Sequence, residues 1–262
     1  GITGDVSGFA SSIFKRGLKF INVPTTLLSQ VDSSIGGKTG VNTIQGKNLI
    51  GSFYQPDLVI SDTNFLKSLS KREVVCGYAE ILKHSLIDDK NFYNFLNKNI
   101  SKILNLKSPF LENAIYKSCQ IKKNVVQKDE NETNYRKILN FGHTFAHAYE
   151  GSLSYSKKLN HGEAVLLGIN SAAKFSYKKN FLSYKDYSSI ISHLKNSNLP
   201  CNLKKFFSIK DIKNILFFMT SDKKNKLNKI NLILLKKIGS TIIDQEYTKS
   251  VLKIFLRKEL LN

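Results

Sequence analysis

Three of the five histidines in this 262-residue chain, His143, His147 and His161, lie in one short stretch, NFGHTFAHAYEG followed by LNHGEAV. His143 and His147 are four residues apart with no helix breaker between them, so on a helix they share a face. His161 follows a turn-rich connection from Gly151 to Asn160 and opens a second apolar helix, GEAVLLGINSAAKF. Two imidazoles on one helix and a third at the start of the next can converge on a divalent metal, usually zinc, which takes nitrogen, sulfur and carboxylate ligands. One isolated histidine would be explained as an ordinary polar helix position; three clustered beside glycines and acids favour metal binding or catalysis. On the helix around Glu80, positions 76, 80, 83 and 84 share a face, so Glu80 and Lys83 project together. Glu80 is a candidate oxygen ligand beside two histidines, an arrangement that leaves a coordination position open for substrate. A surface pair of Glu80 with His84 or Lys83 is the plainer alternative. Spacing alone selects His143 and His147 as the helical ligands and leaves open which of the three histidines stays free.

The elements that must position these groups read in two parts. Residues 1–62 read as α/β. Gly1 to Gly8 form a glycine-rich turn leading into a short helical stretch, GFASSIFKRG, and KFINVPTTLL and DLVISDT are strand candidates. Between them SSIGGKTGVNTIQGKNLIGSF is too glycine-rich for regular structure. As a loop it would let backbone amides, Lys38 and Lys47 approach an anion. From about Asn64, LSKREVVCGYAEILKHSLI, NAIYKSCQIKKNVVQKDE and HGEAVLLGINSAAKF carry helical spacing of apolar residues. Ser70 and Glu73 form a capping-box pattern at the start of the first. KINLILLKKIGSTIIDQEY reads as two short strands around Gly239. The expected architecture is an α/β portion, residues 1–62, followed by a mostly helical one, residues 63–262, with the boundary near Thr63.

Composition narrows the function classes. The hydrophobic content of 41% is ordinary for a globular chain. No apolar run approaches the roughly 20 residues of a membrane span, and no signal peptide pattern precedes the first elements. The net charge is +20, and all but Arg16, Arg72, Arg136 and Arg257 of the basic residues are lysine. The lysines are spread through every segment, without zinc-finger spacing, an aromatic RNA-binding signature or a basic zipper, so nucleic acid is not the expected partner. A positive field still attracts phosphates and carboxylates. Cys76, Cys119 and Cys201 are far apart, which argues against a disulfide framework and points to a reducing cytoplasm.

Read in order, GITGDVSGF, VPTTLLSQVDSSIGGKTGVN, GKNLIGSFYQP, GYAEILKH, NFGHTFAHAYEG and LNHGEAV resemble the 3-dehydroquinate synthase family from Gly1 to about Gly168. The resemblance is looser through SDKKNK and INLILLKKIG. It implies a partial nucleotide-binding α/β domain followed by a helical metal-binding domain, with NAD and one divalent ion, zinc or cobalt. The implied ligands are Glu80, His143 and His161, which moves His147 to the substrate. The implied NAD contacts are Gly1, Ile2, Thr3, Gly4 and Asp5 at the pyrophosphate, with Thr25, Thr26, Lys38, Lys47, Phe65, Leu66, Lys67 and Ser68. Substrate contacts fall on Asp32, Lys38, Asn48, Lys83, Lys122, Arg136, Asn140, His147 and one of Lys223 and Lys224. Glu132 and His147 match positions of proton transfer. Arg16 resembles an arginine that reaches the phosphate of a neighbouring subunit's substrate, implying a homodimer.

The implied reaction takes a seven-carbon keto-acid sugar phosphate, 3-deoxy-D-arabino-heptulosonate 7-phosphate, to 3-dehydroquinate and phosphate. NAD accepts a hydride, the new ketone acidifies the neighbouring C–H, phosphate leaves by β-elimination, the hydride returns, and ring opening with aldol closure finishes the sequence. The family has a further N-terminal stretch with the first strands of the nucleotide-binding domain. Either the sequence is a fragment or that half is absent, in which case weak NAD binding and an unpaired sheet edge are expected. Other readings are a related sugar-phosphate cyclase, a metal-dependent polyol dehydrogenase, or a non-catalytic basic binding protein of the same fold.

Overall fold

The computed structural model describes the backbone of residues 1–43, 46–221 and 229–261, and their side chains other than those of residues 46–48 and 221. The expected site side chains of Lys47, Asn48, Lys223 and Lys224 therefore lie outside the described residues. Chain contacts divide the protein into two compact units, residues 1–81 with 101–136, and residues 82–100 with 137–262.

The first unit opens with helix α1 (Ile2–Ile13), so the glycine-rich start is not the turn expected from its composition. The Asp5 amide already donates to the Gly1 carbonyl at 3.0 Å. Gly8 is spent on packing instead: a Cβ there would stand 2.6 Å from Cγ2 of Thr39. Strands β1 (Ile21–Asn22) and β4 (Leu58–Val59) pair in parallel, at the two segments read as strands. Both are two residues long, and Pro24, which has no amide to donate, stands just beyond β1. Gln30 is fully buried and its Nε2 donates to the carbonyls of Pro24 and Asp62, tying the two strand ends together.

The glycine-rich segment between them is also regular, contrary to expectation. β2 (Lys38–Thr43) and β3 (Gly46–Phe53) form an antiparallel hairpin. Gly40 pairs with Gly51, and a Cβ on Gly40 would lie 2.7 Å from the Ile50 carbonyl oxygen. The glycines are what this close strand pairing demands, and the β-branched Thr39, Val41 and Thr43 around them supply strand character.

Three helices follow. α2 (Lys71–Asp88) begins with the expected capping box: the Glu73 amide donates to Ser70 Oγ and the Ser70 amide to Glu73 Oε2. The division of the chain falls inside this helix, and residues 77–87 are buried on every side. α3 (Lys90–Leu104) is capped by Asp89, whose Oδ1 accepts from the amides of Asn91 and Phe92. α4 (Phe110–Lys128) buries Leu111, Ala114, Ile115, Ser118, Ile121, Lys122, Val125 and Val126, a helical stripe in which one position is a lysine.

The second unit is built from α5 (His143–Ser152), α6 (His161–Lys178), α7 (Tyr184–Asn196), α8 (Ile212–Ser221), the hairpin of β5 (Lys229–Lys237) with β6 (Ser240–Thr248), and α9 (Lys249–Leu261). The two strands around Gly239 stand as expected, joined where that glycine takes a φ of 86°. No helix among the described residues is long and apolar enough to cross a membrane.

His193, on α7, is a core histidine. Its Nδ1 donates to Oδ1 of Asn97 at 2.9 Å, its ring packs on Tyr93, and burial pushes its pKa down to about 4. The unfolded chain takes up this proton near 6.5 and the folded chain resists it. The associated stability is complete above about pH 6.5 and falls by about 3 kcal/mol as pH drops toward 4. Denaturant midpoints measured across that window should fall more steeply for the wild type than for His193→Gln; parallel profiles would refute the assignment.

Candidate active site

The three expected histidines are brought together by α5 and α6. Gly142, at φ 78°, turns the chain into α5, and its carbonyl sits where a Cβ on Gly168 of α6 would have to go. Bare backbone at these two positions lets the helices touch, and a buried Tyr149–Ser171 hydroxyl pair at 2.8 Å fastens them. His143 is the first residue of α5 and His161 the first of α6. Asn160 caps α6: its side chain accepts from the Glu163 amide, and Glu163 accepts from the Asn160 amide in return. Ring centroids are 5.4 Å apart for His143 and His147, 5.7 Å for His143 and His161, and 6.4 Å for His147 and His161.

The members of this trio differ in setting. Nδ1 of His143 is 3.3 Å from the Phe141 carbonyl, and Nδ1 of His161 is 3.3 Å from Oε2 of Glu150. In each case the oxygen accepts, which leaves Nε2 as the lone-pair nitrogen. His147, a turn further along α5, is exposed. Glu80, on the continuous helix α2, is fully buried, and one ligand atom each from Glu80, His143 and His161 lie within 4.8 Å of one another. Two imidazoles and a carboxylate fit a catalytic divalent ion. Asp32, Glu80 and His84 form a second grouping of the same kind, but it offers two carboxylates and one imidazole.

A second set of expected residues converges within the first unit. Residues Ser29–Ser33 make a π-turn closed by the Ser34 amide on the Ser29 carbonyl at 3.1 Å. That turn presents Asp32 to Lys122, the lysine on the buried stripe of α4. Lys122 Nζ donates to the Asp32 carboxylate at 2.6 Å and to its backbone carbonyl at 2.5 Å. Lys38 pairs with Glu132. Arg136, 2% exposed, donates from Nη1 to the Glu130 carbonyl at 2.5 Å and from Nη2 to the Gly36 carbonyl at 2.9 Å. It braces the turn that leads into Lys38, and Gly36, at φ 110°, leaves the space its guanidinium occupies. The loop carrying Glu132 is folded by Asp129, whose carboxylate accepts from the amides of Thr133, Asn134 and Arg136. Those bonds, the one from Arg136 first, hold Asp129 far below the usual carboxylate range.

Of the residues expected to hold NAD, Gly4, Asp5 and Lys38 line one small pocket with Asn22, Ser33 and Thr39. Burial raises the Asp5 pKa. Gly1, Ile2 and Thr3 stand at the start of α1, where the first amides of a helix have no partner within it. Thr25 is exposed. Thr26 starts the π-turn by hydrogen bonds with Ser29, including Oγ1 to Oγ at 2.8 Å. Gly77 of α2 lets that segment approach, since a Cβ would lie 2.5 Å from the Leu28 amide. Phe65, Lys67 and Ser68 are exposed on a short 3-10 turn (Thr63–Ser68), whereas the Leu66 side chain is fully buried. Lys83 is buried on α2, Asn140 is half-buried at the end of the 3-10 turn Tyr135–Asn140, and Arg16 is exposed with a φ of 66°.

Sequence reasoning passed over Glu150, Gln30, Asp129 and Glu130. Only Glu150 carried a visible signal: it is an acid inside the histidine motif, near the C-terminal end of a short helix where negative charge is disfavoured.

The fold is that of known cyclases. Across 98% of this chain and 71% of the other, it matches 2-deoxy-scyllo-inosose synthase complexed with carbaglucose-6-phosphate, NAD+ and Co2+, with a TM-score of 0.85 and 31% identity. A 2-epi-5-epi-valiolone synthase from Streptomyces hygroscopicus subsp. jinggangensis 5008, with NAD+ and Zn2+ bound, shares the fold at TM-score 0.84 and 23% identity, over 98% of this chain and 70% of that one. Fold and site together define an NAD- and metal-dependent cyclase. Residues 1–76 match the model of the 3-dehydroquinate synthase N-terminal domain and residues 77–225 that of its C-terminal domain. The 3-dehydroquinate synthase of Pelagibacter ubique is 65% identical over 260 residues, covering 99% of this chain and 71% of that protein. That of Bradyrhizobium diazoefficiens is 43% identical, covering 99% and 69%. The chain belongs to the 3-dehydroquinate synthase family.

Proposed function

We propose that this chain carries out the phosphate-eliminating cyclisation of 3-deoxy-D-arabino-heptulosonate 7-phosphate to 3-dehydroquinate, in the shikimate pathway. The observation that carries the reading is the meeting of Glu80, His143 and His161 within ligand distance, in a chain 65% identical to a 3-dehydroquinate synthase. When bound, NAD supplies a transient hydride acceptor and the divalent ion polarises the substrate's vicinal hydroxyls. Glu80, His143 and His161 hold the ion. Gly1 to Asp5, Thr25, Thr26, Lys38, Lys47 and the segment Phe65 to Ser68 hold the dinucleotide, with Leu66 contributing backbone only.

The remaining residues bind and orient an anionic substrate. Lys83 and Lys122 are buried ammonium groups, and Lys122 is already paired with the Asp32 carboxylate, as a buried cation requires. Lys122, held beside Asp32, and Arg136, held beneath the Gly36 turn, offer fixed donors to phosphate and carboxylate. Asn48, Asn140 and one of Lys223 and Lys224 complete the substrate contacts. Glu132, held by Lys38, and the exposed His147 move protons at the substrate. The protein acts in the cytoplasm as a homodimer, in which the exposed Arg16 serves the neighbour's site.

Phosphate release from the seven-carbon substrate tests the reading. Release is expected when NAD and zinc or cobalt are both supplied, and either omission of NAD or addition of a chelator should abolish it. No release with both present would overturn the assignment.

A further inference from the structure

Glu150 lies seven residues past His143 on the same helix, and its side chain is 12% exposed. A carboxylate that far along a ten-residue helix faces the negative end of the helix dipole, an unfavourable place for it without a specific partner. The partner is His161, whose Nδ1 is 3.3 Å from Glu150 Oε2. An ionised carboxylate only accepts, so the imidazole Nδ1–H donates and Nε2 carries the lone pair. His143 receives the same tautomeric instruction from a backbone carbonyl, at 3.3 Å from Phe141. The two histidines thus have Nδ1 partners of different strength, one neutral and one charged.

We propose that Glu150 is the positioning residue for His161: it holds the ring plane and tautomer, raises the basicity of Nε2, and so strengthens the hold on the divalent ion. The inference rests on the reading of Glu80, His143 and His161 as the metal ligands. It adds a role for a residue outside the grouping of Glu80, His143 and His161. It also ties the ligand at the start of α6 to α5, through the Glu150–His161 contact.

The test is cobalt binding to the metal-stripped chain, measured by competition with a chromophoric chelator and by the visible spectrum of the bound ion. Glu150→Ala should weaken binding by about a hundredfold and Glu150→Gln, which keeps a neutral acceptor, by about tenfold, the two ends of the usual range for such partners. The spectrum should change in Glu150→Ala, and thermal unfolding of the metal-free proteins should be alike. Wild-type affinity and spectrum in Glu150→Ala, with binding lost in His161→Ala, would overturn the role of Glu150 and leave the ligand set standing. Wild-type binding in His161→Ala would overturn both. Should Glu150→Ala fold poorly, Glu150→Gln decides: undiminished affinity there overturns the proposal.

Discussion

His161→Ala is expected to lose the divalent ion and at least about a thousandfold in phosphate release, whereas His147→Ala keeps the ion and loses turnover alone. A thousandfold corresponds to about 4 kcal/mol of transition-state stabilisation, in the range a polarising cation supplies. For a proton-transfer residue the expected loss is about a hundredfold to ten-thousandfold in turnover. The contrast matters because His143 and His147, one turn apart, are the pair that helical spacing favours as ligands. In the folded chain the grouping with Glu80 contains His143 and His161, and His147 is exposed. Metal content by elemental analysis, set beside steady-state kinetics for the two variants, separates the arrangements. An ion lost from His147→Ala and retained by His161→Ala would reverse them.

Gly168→Ala is expected to cost about 3 kcal/mol, from overpacking against a neighbour that cannot yield. The added carbon would meet the Gly142 carbonyl and stand 3.1 Å from the Ala146 amide. Both are backbone atoms at the start of α5, the Gly142 cap and the helix's first turn, so α6 must withdraw from α5 and carry His161 with it. A fall in melting temperature of roughly 6–12 °C, with weakened metal binding, is the expected result. Gly4→Ala provides the contrast, because its Cβ would meet only Asn22 Nδ2 at 3.9 Å. Replacing a helical glycine by alanine there should be neutral or stabilise by up to about 1 kcal/mol. Equal melting temperatures for the Gly168 variant and the wild type would remove the argument that bare backbone sets the spacing of the histidines.

Much of this was legible in the residues before any coordinates, where one local rule acted alone. The Ser70–Glu73 capping pattern, the apolar periodicity of α2, α4 and α6, and the strands around Gly239 depend on neighbours in sequence, and all appear where local rules place them. The hairpin of β2 and β3 was not legible, because glycine at 40 and 51 reads as irregularity until the two strands are laid side by side. The helical start at Ile2 was hidden for the same reason: Gly8 answers to Thr39, thirty-one positions away. Within the site, residue types announced a metal and an anion. The division of labour proposed for the histidines, and the service proposed for Glu150, depend on how α5 packs against α6, which spacing along one helix does not encode.

The π-turn at Ser29–Ser33 holds one residue more than an α-helical turn would. In a regular helix each residue advances the side chains by about 100°, so the extra residue sets the angular phase at which Asp32 emerges toward Lys122. Exchanging side chains within the turn leaves that phase alone; removing a residue rotates everything after it. Gln30, anchored to Pro24 and Asp62, prevents the upstream chain from absorbing the slip. In an evolving lineage this segment should therefore tolerate spelling changes far better than changes of length, and a single-codon deletion here would be more damaging than most substitutions at the residues that touch substrate.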